Sequence, residues 1–339
     1  MAPLAEPLLT HLLGSSWGLL AAVLPCPLDA GWIKHQEVQI PEHSGGYSAI
    51  AYDQAADRFL LLSDLAEGDL SAWTLPTAKS LPRQLNGLSL KVPASISQQL
   101  DGEALVLDSD QVWVASEGRR SRDRPPLLLR FSLSSGALLQ AVPLPRDWQP
   151  TPSQGLDSNA GPESLARLSR EAQPLELLMA AERPLLQGPS NQVPLLRWFW
   201  PDGLDPRRDP PQAEALGSLQ APDGGGWGLT DVLVLHPQNP GAPQLLGLWR
   251  RYREPLQWDN QLRLYPLPAA GQVGIALQNW DLKVAGLTPE NWEGLSLGPE
   301  LLPGQPSLLL VSDDNRNPFQ SSRLAQLQAR RSPSCGVGQ

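Results

Sequence analysis

DGEALVLDSDQVWVASEG, residues 101–118, is the stretch that decides the fold. Glu103, Leu105 and Leu107 alternate onto one face of a first strand, and Asp108-Ser109-Asp110 supplies a turn. Trp113, Ala115 and Glu117 then share one face of the return strand. An acid thus opens one apolar strand and another acid closes its partner. The same pattern recurs as GYSAIAYDQAADRFLLLSD (46–64), NAGPESLARLSREAQPLELLMAAER (159–183), LTDVLVLHPQNPGAPQLLGLWR (229–250) and NWEGLSLGPELLPGQPSLLLVSDDN (291–315). Aligning the opening positions pairs Ser48, Glu103, Glu163, Asp231 and Glu293, with successive steps of 55, 60, 68 and 62 residues. A period of that size signals a toroidal or solenoid array.

Two further apolar runs fit between successive repeats: DLSAWTL and GLSLKV, LLLRFSL and ALLQAVPL, PLLRWFW and EALGSLQ, QLRLYPL and GQVGIAL. Four antiparallel strands per repeat make a β-propeller blade, so the expected fold is an all-β propeller with little helix. Ser164 to Arg170 reads as strand and turn by its place in the repeat. The fifth repeat runs out after Asn315, where SSRLAQLQAR (321–330) reads as a short helix or a tail. WIKHQEVQI (32–40) alternates as a strand should, and is expected to complete that last blade and close the ring. Five blades are visible, and a sixth would have to lie in the Pro-rich stretches 143–158 or 201–226. The expected organisation is an apolar leader over 1–30, a propeller over 31–318, and a helix or disordered tail over 319–339.

Composition agrees with this class and narrows the partners. The chain has 339 residues, 41% hydrophobic and 18% charged, enough to bury a large core, and its 36 Pro and 29 Gly suit many short strands and turns. Net charge is −9 and the basic residues are scattered, so no basic stripe follows a phosphate backbone and nucleic acid is not an expected partner. Cys26 and Cys335 form neither a disulfide framework nor a zinc spacing. LLTHLLGSSWGLLAAVLP (8–25) resembles a signal-peptide core, yet Glu6 precedes it and no Lys or Arg does. Cys26 follows Val-Leu-Pro rather than the small residue of a lipidation box. No later segment reaches the ~20 apolar residues of a membrane span. The sequence sets no oligomeric state.

GGYSAIAYD with LLLSD, DGEALVL with VWVASEG, NAGPESLA with MAAERPL, GLTDVLVL, and NWEGLSLG with LLLVSDDN together resemble the successive motifs of a bacterial family. That family is the phytase-like propeller labelled "esterase-like activity of phytase". The likeness runs from about Ser44 to Asn315, most of the chain. It implies a propeller, a periplasmic or secreted location, and hydrolysis of phosphate or other esters in a small-molecule substrate. Two departures stand out: the first repeat opens on Ser48, and the fourth closes with Trp249 where an acid is the rule.

First strands of blades lie nearest the axis, so Glu103, Glu163, Asp231 and Glu293 are expected to converge at one channel mouth as the catalytic acids. Gathered carboxylates repel, and each moves toward protonation unless a cation or an arginine compensates. An oxygen-only ligand set suits Ca²⁺, then Mg²⁺ or Mn²⁺, and no organic cofactor is expected. Asp64, Glu117, Glu182 and Asp313 close the second strands and could add an outer set of metal ligands. The resemblance to β-propeller phytases implies that such acids hold calcium, which binds phosphate and activates water. Arg119, Arg183, Arg250 and Arg316 follow the second-strand positions, with Asn315 beside them, and are the candidate anion clamps. The same acids and arginines equally suit a structural network of blade-to-blade ion pairs. The sequence therefore supports both a metal-dependent ester hydrolase and a non-catalytic propeller that binds a ligand or protein.

Three other signals weigh little. Gly294-Leu295-Ser296-Leu297-Gly298 spells GxSxG, but Ser296 falls within a strand and not at a strand-turn-helix elbow. His11, His35, His43 and His236 have no metal spacing. The twelve Trp, Trp198 and Trp200 among them, are expected to fill the wedges between blades.

Overall fold

The computed structural model describes residues 31–330 apart from 42–44, 66–67, 121–123, 171–172, 237–240, 256, 303–304 and 318. The leader 1–30 with His11 and Cys26, His43, and the last residues with Cys335 lie outside the described residues.

Strand-period alternation produces, among the described residues, 21 strands in five small sheets, arranged as a five-bladed β-propeller. Blade one is β2 (Tyr47–Asp53), β3 (Arg58–Ser63), β4 (Asp69–Thr74) and β5 (Gln84–Ser89). Blade two is β6 (Gly102–Asp108), β7 (Gln111–Ser116), β8 (Leu127–Ser132) and β9 (Leu138–Pro143). Blade three is β10 (Pro162–Arg167), β11 (Glu176–Ala181), β12 (Gln192–Phe199) and β13 (Gln212–Gln220), with a two-residue strand β17 (Val273–Gly274) added in parallel at its edge. Blade four is β14 (Trp227–Leu235), β15 (Gln244–Arg253), β16 (Gln257–Pro266) and β18 (Gln278–Asp281). Blade five is β19 (Trp292–Leu302), β20 (Gln305–Ser312), β21 (Arg323–Ala329) and β1 (Trp32–Gln39), in that spatial order. Each blade is an antiparallel meander running outward from the axis, its innermost strand β2, β6, β10, β14 or β19.

Two readings of the sequence are corrected. Residues 323–329 form strand β21, not a helix or tail: apolar Leu324, Ala325, Leu327 and Ala329 are buried between β20 and β1, which hydrogen-bond it on both sides. GQVGIAL does not supply the outer strand of blade four, because Ile275 and Leu277 are exposed and have no core to face. QNWD takes that place, where Trp280 packs against the cluster shared by blades four and five. The five blades expected are the ones present, and the stretches 143–158 and 201–226 hold no sixth: past the end of β9 the first contains a 3-10 turn at Arg146–Trp148, and the second contributes β13.

The core lies between blades. Leu, Val and Ala from facing sheets interdigitate, and Trp73, Trp113, Trp198, Trp249 and Trp292 are buried among them, as expected for wedge fillers. Ser296 lies in β19, where its hydroxyl donates to Leu297 O at 2.9 Å and accepts from Tyr52 N of blade one at 3.1 Å. That is a seam between the last blade and the first, not a nucleophile. Among the described residues no helix is long and apolar enough to cross a membrane.

Candidate functional site

Every inner strand carries a one-residue bulge near its start. The pairing shifts between Tyr47 and Ala49, Gly102 and Ala104, Pro162 and Ser164, Leu229 and Asp231, and Trp292 and Gly294. A bulge re-aims the extra side chain without breaking the strand. The bulged residues are Ser48, Glu103, Glu163, Thr230 and Glu293. Thr230, not Asp231, is thus the fourth-blade equivalent of the three glutamates. Ser48 and Thr230 also act alike: Ser48 Oγ donates to Gly102 O at 2.6 Å, and Thr230 Oγ1 to Trp292 O at 3.2 Å, each tying its bulge to the next blade. The acid Asp231 leaves the channel and enters the blade seam, where Oδ1 accepts from Val232 N and Oδ2 from Leu295 N, both at 2.7 Å. Its burial raises the carboxyl pKa, while those two N–H donors pull it back.

The second strands end in register. Ser63, Ser116, Ala181, Trp249 and Ser312 pair with the residue preceding each bulge, and the next residues are Asp64, Glu117, Glu182, Arg250 and Asp313. Four blades therefore place an acid where the fourth blade places a base. Backbone shape makes the room: a Cβ on Gly161 would collide with the Glu117 side chain, and one on Gly228 with the Glu182 carboxylate. Gly161 N also donates to Glu117 Oε1 at 3.1 Å.

The bulge and second-strand acids share one electrostatic site. Glu103 lies deep while its surface opens onto the channel; burial and then Glu163, Glu293, Glu117 and Asp101 drive its pKa well above the ordinary value. Glu163, 8% exposed and without a hydrogen-bond partner among the described residues, is raised by burial and by Glu182, Glu117 and Glu293, with Arg250 opposing. Burial first, then Asp101, lifts Glu117 to about 7. For Asp64 the same pair of causes gives about 6, and Asp313 is lifted to about 8 by burial and Glu293. Burial also raises Glu293, with Arg250 the largest opposing influence.

Asp101, Glu103 and Glu117 each offer an oxygen within 4.8 Å of the other two. Two oxygens on one Ca²⁺ at ~2.3–2.6 Å can be at most about 5 Å apart, so the trio fits a single hard cation. Asp101 and Asn291 are site members that charge alignment passed over. Asp101 sits at φ +51°, the left-handed region that Gly46 occupies at the equivalent place in blade one, so a carboxylate is held there against backbone preference. The signal was present in Asp101-Gly102 opening the second repeat. Arg124 pairs with Asp101 Oδ2.

The candidate clamps divide. Arg250 is inside the ring, paired with Glu293 and, at 3.4 Å, with Glu182. Arg119 and Arg316 are exposed at the rim, where their charges lower Asp101 and Glu117, and Asp64, respectively. The Arg183 side chain, 48% exposed, meets Glu182 at 3.3 Å. Asn315 is exposed, and its backbone N–H donates to Asp313 Oδ1 at 2.9 Å. His35 is exposed on β1 and half-buried His236 lies in a separate groove with Arg170 and Arg197, so neither joins the site.

Residues 42–316 match the family model "Phytase-like: Esterase-like activity of phytase". No curated protein matches the chain. Among solved structures it is similar to a glucose dehydrogenase (13% identity, 88% of this chain and 100% of that one, TM-score 0.46). It is also similar to the soluble aldose sugar dehydrogenase of Escherichia coli (13%, 87% and 99%, TM-score 0.45) and to the alpha-L-arabinanase of Cellvibrio cellulosa (10%, 89% and 93%, TM-score 0.43).

Proposed function

The chain belongs to the phytase-like family described as "Esterase-like activity of phytase", and from that premise we propose that it is a cation-dependent hydrolase of phosphate or other esters, working at the acidic channel mouth. One observation carries the reading: Asp101, Glu103 and Glu117 converge within 4.8 Å, and the largest charges acting on Glu103 are four carboxylates. Oxygen-only donors of this kind favour Ca²⁺, with Asp64 beside them; its Oδ1 is buried and has no partner. A cation held there would supply charge for a phosphoryl or carbonyl oxygen and a lowered pKa for water. Glu163, with no hydrogen bond among the described residues, is the group that would hold or release a proton beside the site. Rim Arg119 and Arg316 orient an anionic substrate, whereas Arg250 is committed to carboxylates and drops out of the clamp set. A second reading is favoured by Ser48 and Thr230, whose hydroxyls serve the backbone: two of five blades bring no inner acid, which also suits a binding propeller.

Hydrolysis of p-nitrophenyl phosphate, phytate and short p-nitrophenyl acyl esters, assayed with Ca²⁺ and with EDTA, separates the two readings. A hydrolase shows calcium-dependent turnover of at least one of them that falls about 100-fold or more in Glu117→Gln with the fold retained. Calcium-stabilised protein with no turnover on any substrate leaves the binding propeller.

A further inference from the structure

The ring of second-strand residues is not symmetric in charge, and the exception is built in detail. Arg250 occupies the position filled by Asp64, Glu117, Glu182 and Asp313 in the other blades, a change of two charge units at one place. Nη1 donates to Glu293 and to Asn291 Oδ1, and Nη2 lies 3.4 Å from Glu182. Trp258 lies under the guanidinium, 5.5 Å from Cζ to the ring centroid. Its neighbour Arg251 is drawn away by Asp259 at 2.7 Å, and the rim Arg183 meets Glu182 at 3.3 Å with its side chain 48% exposed, so Arg250 is the buried cation that Glu182 and Glu293 share. A guanidinium keeps its proton at every working pH, and its planar fork suits two carboxylates at once. On the opposite side, Asp101, Glu103 and Glu117 hold three converging oxygens, and among the described residues only Asp101 of the three has an arginine in ion-pair contact, Arg124.

We propose that Arg250 is a tethered counter-cation that fills the Glu182–Glu293 half of the acidic ring, so that the mouth takes one divalent cation, at Asp101, Glu103 and Glu117, and not two. The proposal rests on the cation reading of the same site and adds how many ions it takes and where. Glu163 is buried and feels both halves: Glu117 on one side, and Glu182, Glu293 and Arg250 on the other. In Arg250→Met the Glu293 and Asp313 carboxylates lose the guanidinium and Glu182 keeps only the half-exposed Arg183, and a second cation replaces the lost charge. Arg250→Lys keeps the charge and one ion.

Calcium titration by isothermal calorimetry, with ion counts from native mass spectrometry, tests this on the full chain. Expected are one Ca²⁺ in the wild type, two in Arg250→Met and one in Arg250→Lys. Two ions in the wild type, or one in folded Arg250→Met, overturns the proposal while leaving the cation reading intact. No calcium in the wild type overturns the cation reading itself. Position is checked independently of whether Arg250→Met folds: Glu117→Gln should weaken the wild-type ion about tenfold or more, since even outer-shell partners of ligands are worth about 10–100-fold. Glu182→Gln should leave it nearly unchanged. The reverse pattern overturns the assignment to the Asp101 half.

Discussion

Glu103 and Glu293 have the same residue type, the same bulge position and opposite electrostatic surroundings. The charges that dominate at Glu103 are four carboxylates, whereas Glu293 pairs directly with the Arg250 guanidinium and accepts from Asn291 Nδ2 at 2.7 Å. Neutralising a carboxylate that only meets others of its kind relieves repulsion. Removing one from a buried ion pair strands a charge, an effect on the order of 3 kcal/mol. In EDTA, Glu103→Gln should therefore melt higher than wild type, by roughly 2 °C for each kcal/mol gained in a chain of this size, and Glu293→Gln should melt lower. Thermal melts of the two variants side by side check this, and movement in the same direction would show that the two glutamates share one environment after all.

At the level of the strand, the bulge determines which side chain reaches the axis, and this separates what the sequence disclosed from what it hid. Blades, inner strands and most of the acids were readable because alternation and a repeat of 55 to 68 residues are local signals. Asp231 was misassigned because charge, not backbone register, chose the alignment, and a one-residue shift sends a side chain to the other face. Strand β21 was misread for a different reason: the apolar spacing in RLAQLQA suits a helix as well, and only pairing with β20 and β1 resolves it. The hydroxyl bulges make a prediction of their own. Thr230→Val keeps shape but removes the donor to Trp292 O, and Ser48→Ala removes the donor to Gly102 O, leaving buried carbonyls short of a partner. Each should lose about 1–2 kcal/mol in urea unfolding with an unchanged m-value. Loss below a few tenths of a kcal/mol in both would mean that these bonds do not hold neighbouring blades together.

Across the whole ring, the unusual property is that several carboxylates titrate far above their unfolded values: Asp64 at about 6, Glu117 at about 7 and Asp313 at about 8. A carboxyl whose folded pKa is raised binds protons more tightly in the native state than in the unfolded chain. Its contribution to stability is complete below the unfolded pKa, near 4, and is lost as pH rises through the folded value. Metal-free protein should therefore lose stability steadily from about pH 4 to about pH 8, the reverse of the usual salt-bridged carboxylate. Calcium opposes this slope, because ionised carboxylates are the form that binds it, and an ion held only by the folded state adds about 3–4 kcal/mol at 100–1,000 times its dissociation constant. Melting curves at intervals from pH 5 to 9, in EDTA and in millimolar Ca²⁺, should diverge as pH rises, with the largest calcium shift at the alkaline end. Parallel curves with no calcium shift would mean that Arg250 and the rim arginines already balance the ring, and the acids would then be scaffold rather than site.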